Sequence, residues 1–125
     1  MTAEAVVDAS AIVAMLFNEP PRDKVAARLR DRALYAPELL PFEVANACLK
    51  KIRVRPAESN ELLAAFSTLY RLPIVLAQID ARETIELAFG NKLSLYDASY
   101  LWLARDMGAE LVTLDGALEA AAKIS

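Results

Sequence analysis

Residues 5–17 read Ala5-Val6-Val7-Asp8-Ala9-Ser10-Ala11-Ile12-Val13-Ala14-Met15-Leu16-Phe17. A short aliphatic run, a polar turn and an apolar stretch that Asn18 and Pro20-Pro21 terminate spell buried strand, turn and helix. The same alternation continues outward. Residues 22–32 fit a helix with Val25, Ala26 and Leu29 inward, and Leu34-Tyr35-Ala36 before Pro37 fits a second short strand. Pro41 suits the first turn of a helix from about Leu40 to Arg53, which Arg55-Pro56 breaks. Residues 57–70 give another helix and Pro73-Ile74-Val75-Leu76 a third strand. A helix over 80–91 with Gly90 at its end follows, then a largely apolar helix that Ser94 caps and Gly108 stops. Leu111-Val112-Thr113-Leu114 makes a fourth strand, and Asp115-Gly116 opens a last helix. Strands alternating with helices predict an α/β fold with a central, mostly parallel sheet.

With 125 residues, three glycines, no repeat and no low-complexity stretch, the chain reads as one domain over 1–125. Apolar residues make up 56% of it, which rules out disorder. The chemistry is bounded by absences. There is no histidine, so imidazole is excluded as base, shuttle or metal ligand. The single cysteine, Cys48, excludes a disulfide and a zinc cluster. If the chain is an enzyme, carboxylates carry the reaction. A net charge of −3 argues against wholesale coating by nucleic acid and leaves room for a local basic patch. No run approaches a membrane span, and Met-Thr-Ala-Glu lacks the basic and apolar parts of a signal peptide. A soluble, cytoplasmic protein is expected.

In α/β sheets ligands bind outside the carboxyl ends of the strands, where helices also begin. Asp8 and Asp115 directly follow the first and fourth strands, while Glu43 and Asp97 lie near helix starts. Each has an ordinary structural role open to it. Asp8 and Asp115 can cap helices, Ser94-x-x-Asp97 can form a capping box, and Glu43 can complement a helix dipole. Asp97 strains that account most, because its helix is apolar nearly all round and a buried lone carboxylate is costly. Four carboxylates gathered at one sheet edge repel one another unless a cation compensates, and hard oxygen ligands suit Mg²⁺ or Mn²⁺. Such a cation takes phosphate oxygens as further ligands, which points to phosphoryl chemistry.

The blocks Val6-Val7-Asp8-Ala9-Ser10-Ala11, Pro41-Phe42-Glu43-Val44-Ala45-Asn46, Leu95-Tyr96-Asp97-Ala98-Ser99-Tyr100 and Leu111-Val112-Thr113-Leu114-Asp115 closely resemble the PIN-domain family. Within it they look most like VapC-type ribonuclease toxins of toxin–antitoxin pairs. The resemblance spans nearly the whole chain. It implies a three-layer α/β/α sandwich of four to five short strands, and Mg²⁺-dependent hydrolysis of RNA phosphodiesters with Mn²⁺ as a substitute. Asp8, Asp97 and Asp115 would hold the metal directly or through water. Glu43 would bind a second metal or orient and deprotonate the attacking water. Ser10, Asn46 and Thr113 would be supporting donors. Family members commonly continue into a fifth strand, whereas the sequence here ends Ala122-Lys123-Ile124-Ser125. A cognate antitoxin and a second copy of the chain are the implied protein partners.

Two basic clusters are candidates for RNA phosphates: Lys50, Lys51, Arg53 and Arg55, and Lys24, Arg28 and Arg32. A solvated face is the plainer reading of either. Tyr35, Tyr96, Tyr100 and Trp102 fit base stacking or, more simply, core packing. Apolar residues in 11–17 and 62–70 exceed what one sheet needs, compatible with a dimer interface or a groove for a partner helix. A non-catalytic PIN-fold module that binds RNA or protein is the alternative from another class, and its mark would be a broken acidic quartet. A receiver domain would want paired acids after the first strand, and a haloacid-dehalogenase-type phosphatase Asp-x-Asp. Ser10 stands where the second acid of the latter would be.

Overall fold

The computed structural model describes residues 3–124. Met1, Thr2 and Ser125, on which the expectations about the two ends of the chain partly rest, lie outside the described residues. Four strands, β1 (Ala3–Val7), β2 (Arg32–Pro37), β3 (Ile74–Ala77) and β4 (Glu110–Val112), form one sheet in the order β3-β2-β1-β4. Every pairing is parallel, with Val6 opposite both Tyr35 and Leu111. All four carboxyl ends therefore face the same way. The helices are α1 (Ala9–Leu16), α2 (Arg22–Leu29), α3 (Leu40–Val54), α4 (Ser59–Ser67), α5 (Ala81–Asn91), α6 (Leu95–Met107) and α7 (Gly116–Ile124). The α/β class and the parallel sheet expected from the alternation are what the chain adopts. Four strands stand among the described residues.

The core is laid down by β1 and α6. Ala5, Val6 and Val7 are fully buried, and Tyr100, Leu101, Leu103 and Ala104 pack against them together with Ile12, Leu40, Val44 and Leu118. The apolar surplus expected on 11–17 is absorbed here, since Ala11, Ile12 and Ala14 are buried and Val13, Met15, Leu16 and Phe17 pack on the core. Leu63 in α4 and Tyr70 just after it do remain exposed.

Several boundaries move for local reasons. α2 ends at Leu29 rather than near Arg32, because Arg30 turns extended and Asp31 takes a left-handed conformation that a short polar side chain tolerates. The helix expected over 57–70 divides into a 3₁₀ turn, α4 and a second 3₁₀ turn. There the Ser67 and Thr68 hydroxyls donate to the carbonyls of Leu63 and Ala65, local bonds that compete with a regular helix. Gly90 lies inside α5, and Lys92 supplies the left-handed end. β4 ends at Val112, so Thr113 and Leu114 leave the ladder.

Candidate active site at the carboxyl ends of the strands

Because β1 and β4 are neighbours in register, with Val7 opposite Val112, the residues just after them meet. Asp8 donates its backbone N–H to the Val112 carbonyl at 3.2 Å. Its carboxylate is buried and fully engaged: Oδ1 accepts from the Ser10 hydroxyl at 2.7 Å and the Ala11 N–H at 3.1 Å, and Oδ2 from the Thr113 hydroxyl at 2.5 Å. Thr113 is thus drawn out of the strand by Asp8, and its Oγ1 also accepts from the Asp115 N–H at 2.9 Å. Asp115 in turn caps α7 through Leu118 N–H at 2.8 Å. The capping roles of Asp8 and Asp115 are real, and they are also what fixes both carboxylates at the sheet edge.

The other two acids come from helix starts. Glu43, in the first turn of α3, accepts from the Tyr100 hydroxyl of α6 at 2.6 Å. Asp97, in the first turn of α6, donates its N–H to the capping Ser94 hydroxyl oxygen at 3.0 Å. Both carboxylates are half-buried. Asn46, one turn beyond Glu43, is exposed and joins none of these hydrogen bonds.

The fields of the acids overlap. Burial pushes the Asp8 carboxyl above the usual range, opposed by its three hydrogen bonds and reinforced by the charge of Asp97. Glu43 is also raised, first by burial and then by Asp97 and Asp8, with the Tyr100 hydroxyl pulling it back. Asp97 is raised by burial and by Asp115, against the Ser94 bond. Tyr100 itself is pushed far up by burial and its carboxylate partner, so it stays a proton donor. None of the described ion pairs includes any of the four acids.

Among the described residues no three carboxylates close into a ready ligand cage. Mg²⁺ in general needs no such cage, since one or two carboxylates and several waters hold it. An uncompensated group of half-buried acids is what such an ion would relieve.

Of the supporting residues expected from the sequence, Ser10 and Thr113 hold Asp8, and Asn46 stands exposed on α3. The residue the sequence reading missed is Tyr100. It read as core, and it is core at 1% exposure, but its hydroxyl ends at Glu43. The basic clusters also separate. Arg28 and Arg32 lie by the amino ends of the strands and pair with Glu110 at 3.6 and 2.6 Å, so they face away from the acids and do not serve them.

The PIN-domain family model matches residues 5–124. Ribonuclease VapC3 of Pyrobaculum aerophilum is 33% identical over 116 residues, covering 88% of each chain. Ribonuclease VapC12 of Mycobacterium tuberculosis is 27% identical over 113 residues, covering 90% of this chain and 88% of its own. The crystal structure of PAE2754 from Pyrobaculum aerophilum superposes with a TM-score of 0.80 at 28% identity, over 98% of this chain and 87% of that one. Mycobacterium tuberculosis VapC20, described as a sarcin-ricin loop cleaving toxin, shares the fold with a TM-score of 0.68 at 16% identity, over 94% and 95% of the two chains. The match along almost the full length, on a sheet that brings the four motif acids to one end, makes this chain a member of the PIN-domain family, on the VapC side of it.

Proposed function

We propose that the chain is a Mg²⁺-dependent endoribonuclease, with Mn²⁺ as a substitute, and that it acts as the toxin of a toxin–antitoxin pair. The observation that carries this reading is the group Asp8, Glu43 and Asp97, each raised by burial and by a neighbouring acid, with no side-chain cation to answer them. Relatives named VapC ribonucleases support the substrate class.

Asp8, Asp97 and Asp115 would hold the metal directly or through water, with Glu43 beside them. When bound, such an ion polarises a phosphoryl oxygen and acidifies water. The chain's own residues do the remaining work. Ser10, Thr113 and the Ala11 amide lock both oxygens of Asp8, so its orientation is set before substrate arrives. Tyr100 fixes Glu43 through one oxygen and no side chain among the described residues hydrogen-bonds the other, which suits a base that accepts a proton from the attacking water. A raised carboxyl is better matched to that task at neutral pH than an ordinary one.

An RNA substrate would have the chain act in the cytoplasm. A cognate antitoxin would be its regulator. A homodimer has support in α5, where Ile85 and Phe89 stand one turn apart and exposed.

The test is cleavage of a single-stranded RNA by the purified chain in Mg²⁺, in chelator, and by Asp8→Asn. Cleavage present in Mg²⁺ and lost by more than about 100-fold in the variant, beyond what loss of an outer-sphere partner costs, is expected. Full activity in chelator or in Asp8→Asn would overturn the reading.

A further inference from the structure

The four acids leave the outer face of α3 unexplained. At 3.6 residues per turn, Phe42, Asn46, Leu49, Lys50 and Arg53 fall on one stripe of this helix roughly 100° wide. All are exposed. The buried face of Leu40, Val44 and Cys48 lies opposite. The stripe starts at Phe42, next to Glu43, and runs about 16 Å to Arg53 at 1.5 Å per residue.

Its chemistry is ordered along that line. The Phe42 ring is 86% exposed, although burying such a ring is worth about 1.5–3 kcal/mol. Asn46 follows with a side-chain amide that enters no hydrogen bond among the described residues, and then come two cations. Among the described residues Lys50 and Arg53 enter no ion pair, whereas their neighbours Lys51 and Arg55 are taken by Glu19 and Glu58. A bare ring, a bare amide and bare cations thus lead away from an acidic pit on one helix face. Single-stranded nucleic acid answers all of them: free π-faces for the ring, base edges and ribose hydroxyls for the amide, and regularly spaced phosphates for the cations. A duplex keeps its bases stacked on each other and offers the ring nothing.

We propose that this face of α3 is a track for unpaired RNA, in which a base beside the scissile phosphate stacks on Phe42, Asn46 bonds the adjoining nucleotide, and Lys50 and Arg53 hold phosphates farther along. The inference rests on the reading of the acids as an RNA-cleaving site. It assigns the α3 face as the path of the strand and Phe42 as a specificity-determining residue.

The test is fluorescence anisotropy with a labelled 12-nucleotide oligoadenylate and a blunt RNA duplex of equal length, at low salt with chelator present. Phe42→Ala is expected to weaken binding of the single strand about 5- to 150-fold, the equivalent of ~1–3 kcal/mol per stacked base, while Phe42→Trp retains it. Lys50→Gln with Arg53→Gln is expected to lower the slope of log affinity against log salt by about 1.4, or ~0.7 per phosphate contact. Four results would overturn the track: no binding of the single strand by the wild-type chain, equal binding of the duplex, Phe42→Ala within two-fold of wild type, or a loss of binding in Phe42→Ala that follows a change in sedimentation from dimer to monomer. The exposed position of Phe42 keeps its truncation from unfolding the chain. Binding in chelator needs neither metal nor hydrolysis, so a chain that binds the strand normally yet never cleaves it sinks the nuclease reading and leaves the track standing.

Discussion

The two ends of the sheet treat charge in opposite ways. By the amino ends of β2 and β4, Arg32 pairs with Glu110 at 2.6 Å, donates to the Glu4 carbonyl at 3.2 Å, and shares Glu110 with Arg28. At the carboxyl ends, burial raises Asp8, Glu43 and Asp97, Asp97 further raises Asp8 and Glu43, Asp115 further raises Asp97, and no described arginine or lysine pairs with any of them. Both ends are built from charged side chains beside the same strands. One end pairs its opposite charges, although the buried Arg32 Nε has no hydrogen-bond partner among the described residues, and the other is held incomplete by hydroxyl and amide donors that orient the acids without neutralising them. Charge density alone therefore does not mark a site; charge that the fold positions and leaves unanswered does.

The largest effect that sharpens this contrast belongs to Asp97→Asn. It removes the charge that raises both Asp8 and Glu43. Cleavage should fall by more than about 100-fold, and the metal-free protein should become more stable at neutral pH. The sign follows from linkage. A carboxyl raised in the folded state binds its proton more tightly there than in the unfolded chain, so stability declines as pH climbs from the ordinary carboxylate range through the raised values. Thermal unfolding in chelator should show that decline for the wild type and a smaller one for the variant. Added Mg²⁺ should offset it, by about 2.7 kcal/mol at a hundred-fold excess over Kd. A variant less stable than wild type at neutral pH would mean the acids are not in conflict.

An intermediate effect is expected from Tyr100→Phe. The hydroxyl donates to Glu43 and lowers it, so its removal raises Glu43 further. The acidic limb of the pH–activity profile should move to higher pH, with a loss of about 10-fold at neutral pH. An unmoved limb would show that Glu43 does not titrate in the reaction.

The smallest effect lies at the other end. Arg32→Met breaks a partly exposed ion pair and should cost roughly 1 kcal/mol or less by thermal unfolding, with RNA cleavage unchanged within about two-fold. A large loss of activity would break the contrast between the two ends.

How much of this was legible in the sequence depends on range. Asp8 and Asp115 announced themselves because each follows a strand and opens a helix, a signal contained within a few consecutive residues. Ser94 as the cap of α6 was legible for the same reason. Ser10 reaches the Asp8 carboxylate from two residues away, but that Thr113 meets the same carboxylate across 105 residues is set by the β1–β4 register. Tyr100 could not be told from core, because a buried ring looks the same in sequence whether or not its hydroxyl ends on an acid. Arg28 and Arg32 looked like a phosphate-binding face until Glu110, distant in sequence, was seen to lie beside them.

The sequence by itself determined the order of elements, the parallel α/β class and the positions of four acids beside strand ends and helix starts, because hydrophobic periodicity, capping and turn chemistry act over a few residues. Only the tertiary structure decided which charges are answered and which are not. Electrostatic and hydrogen-bonding balance depends on distance through space and on burial, and both are set by strand register and helix packing between residues far apart in the chain.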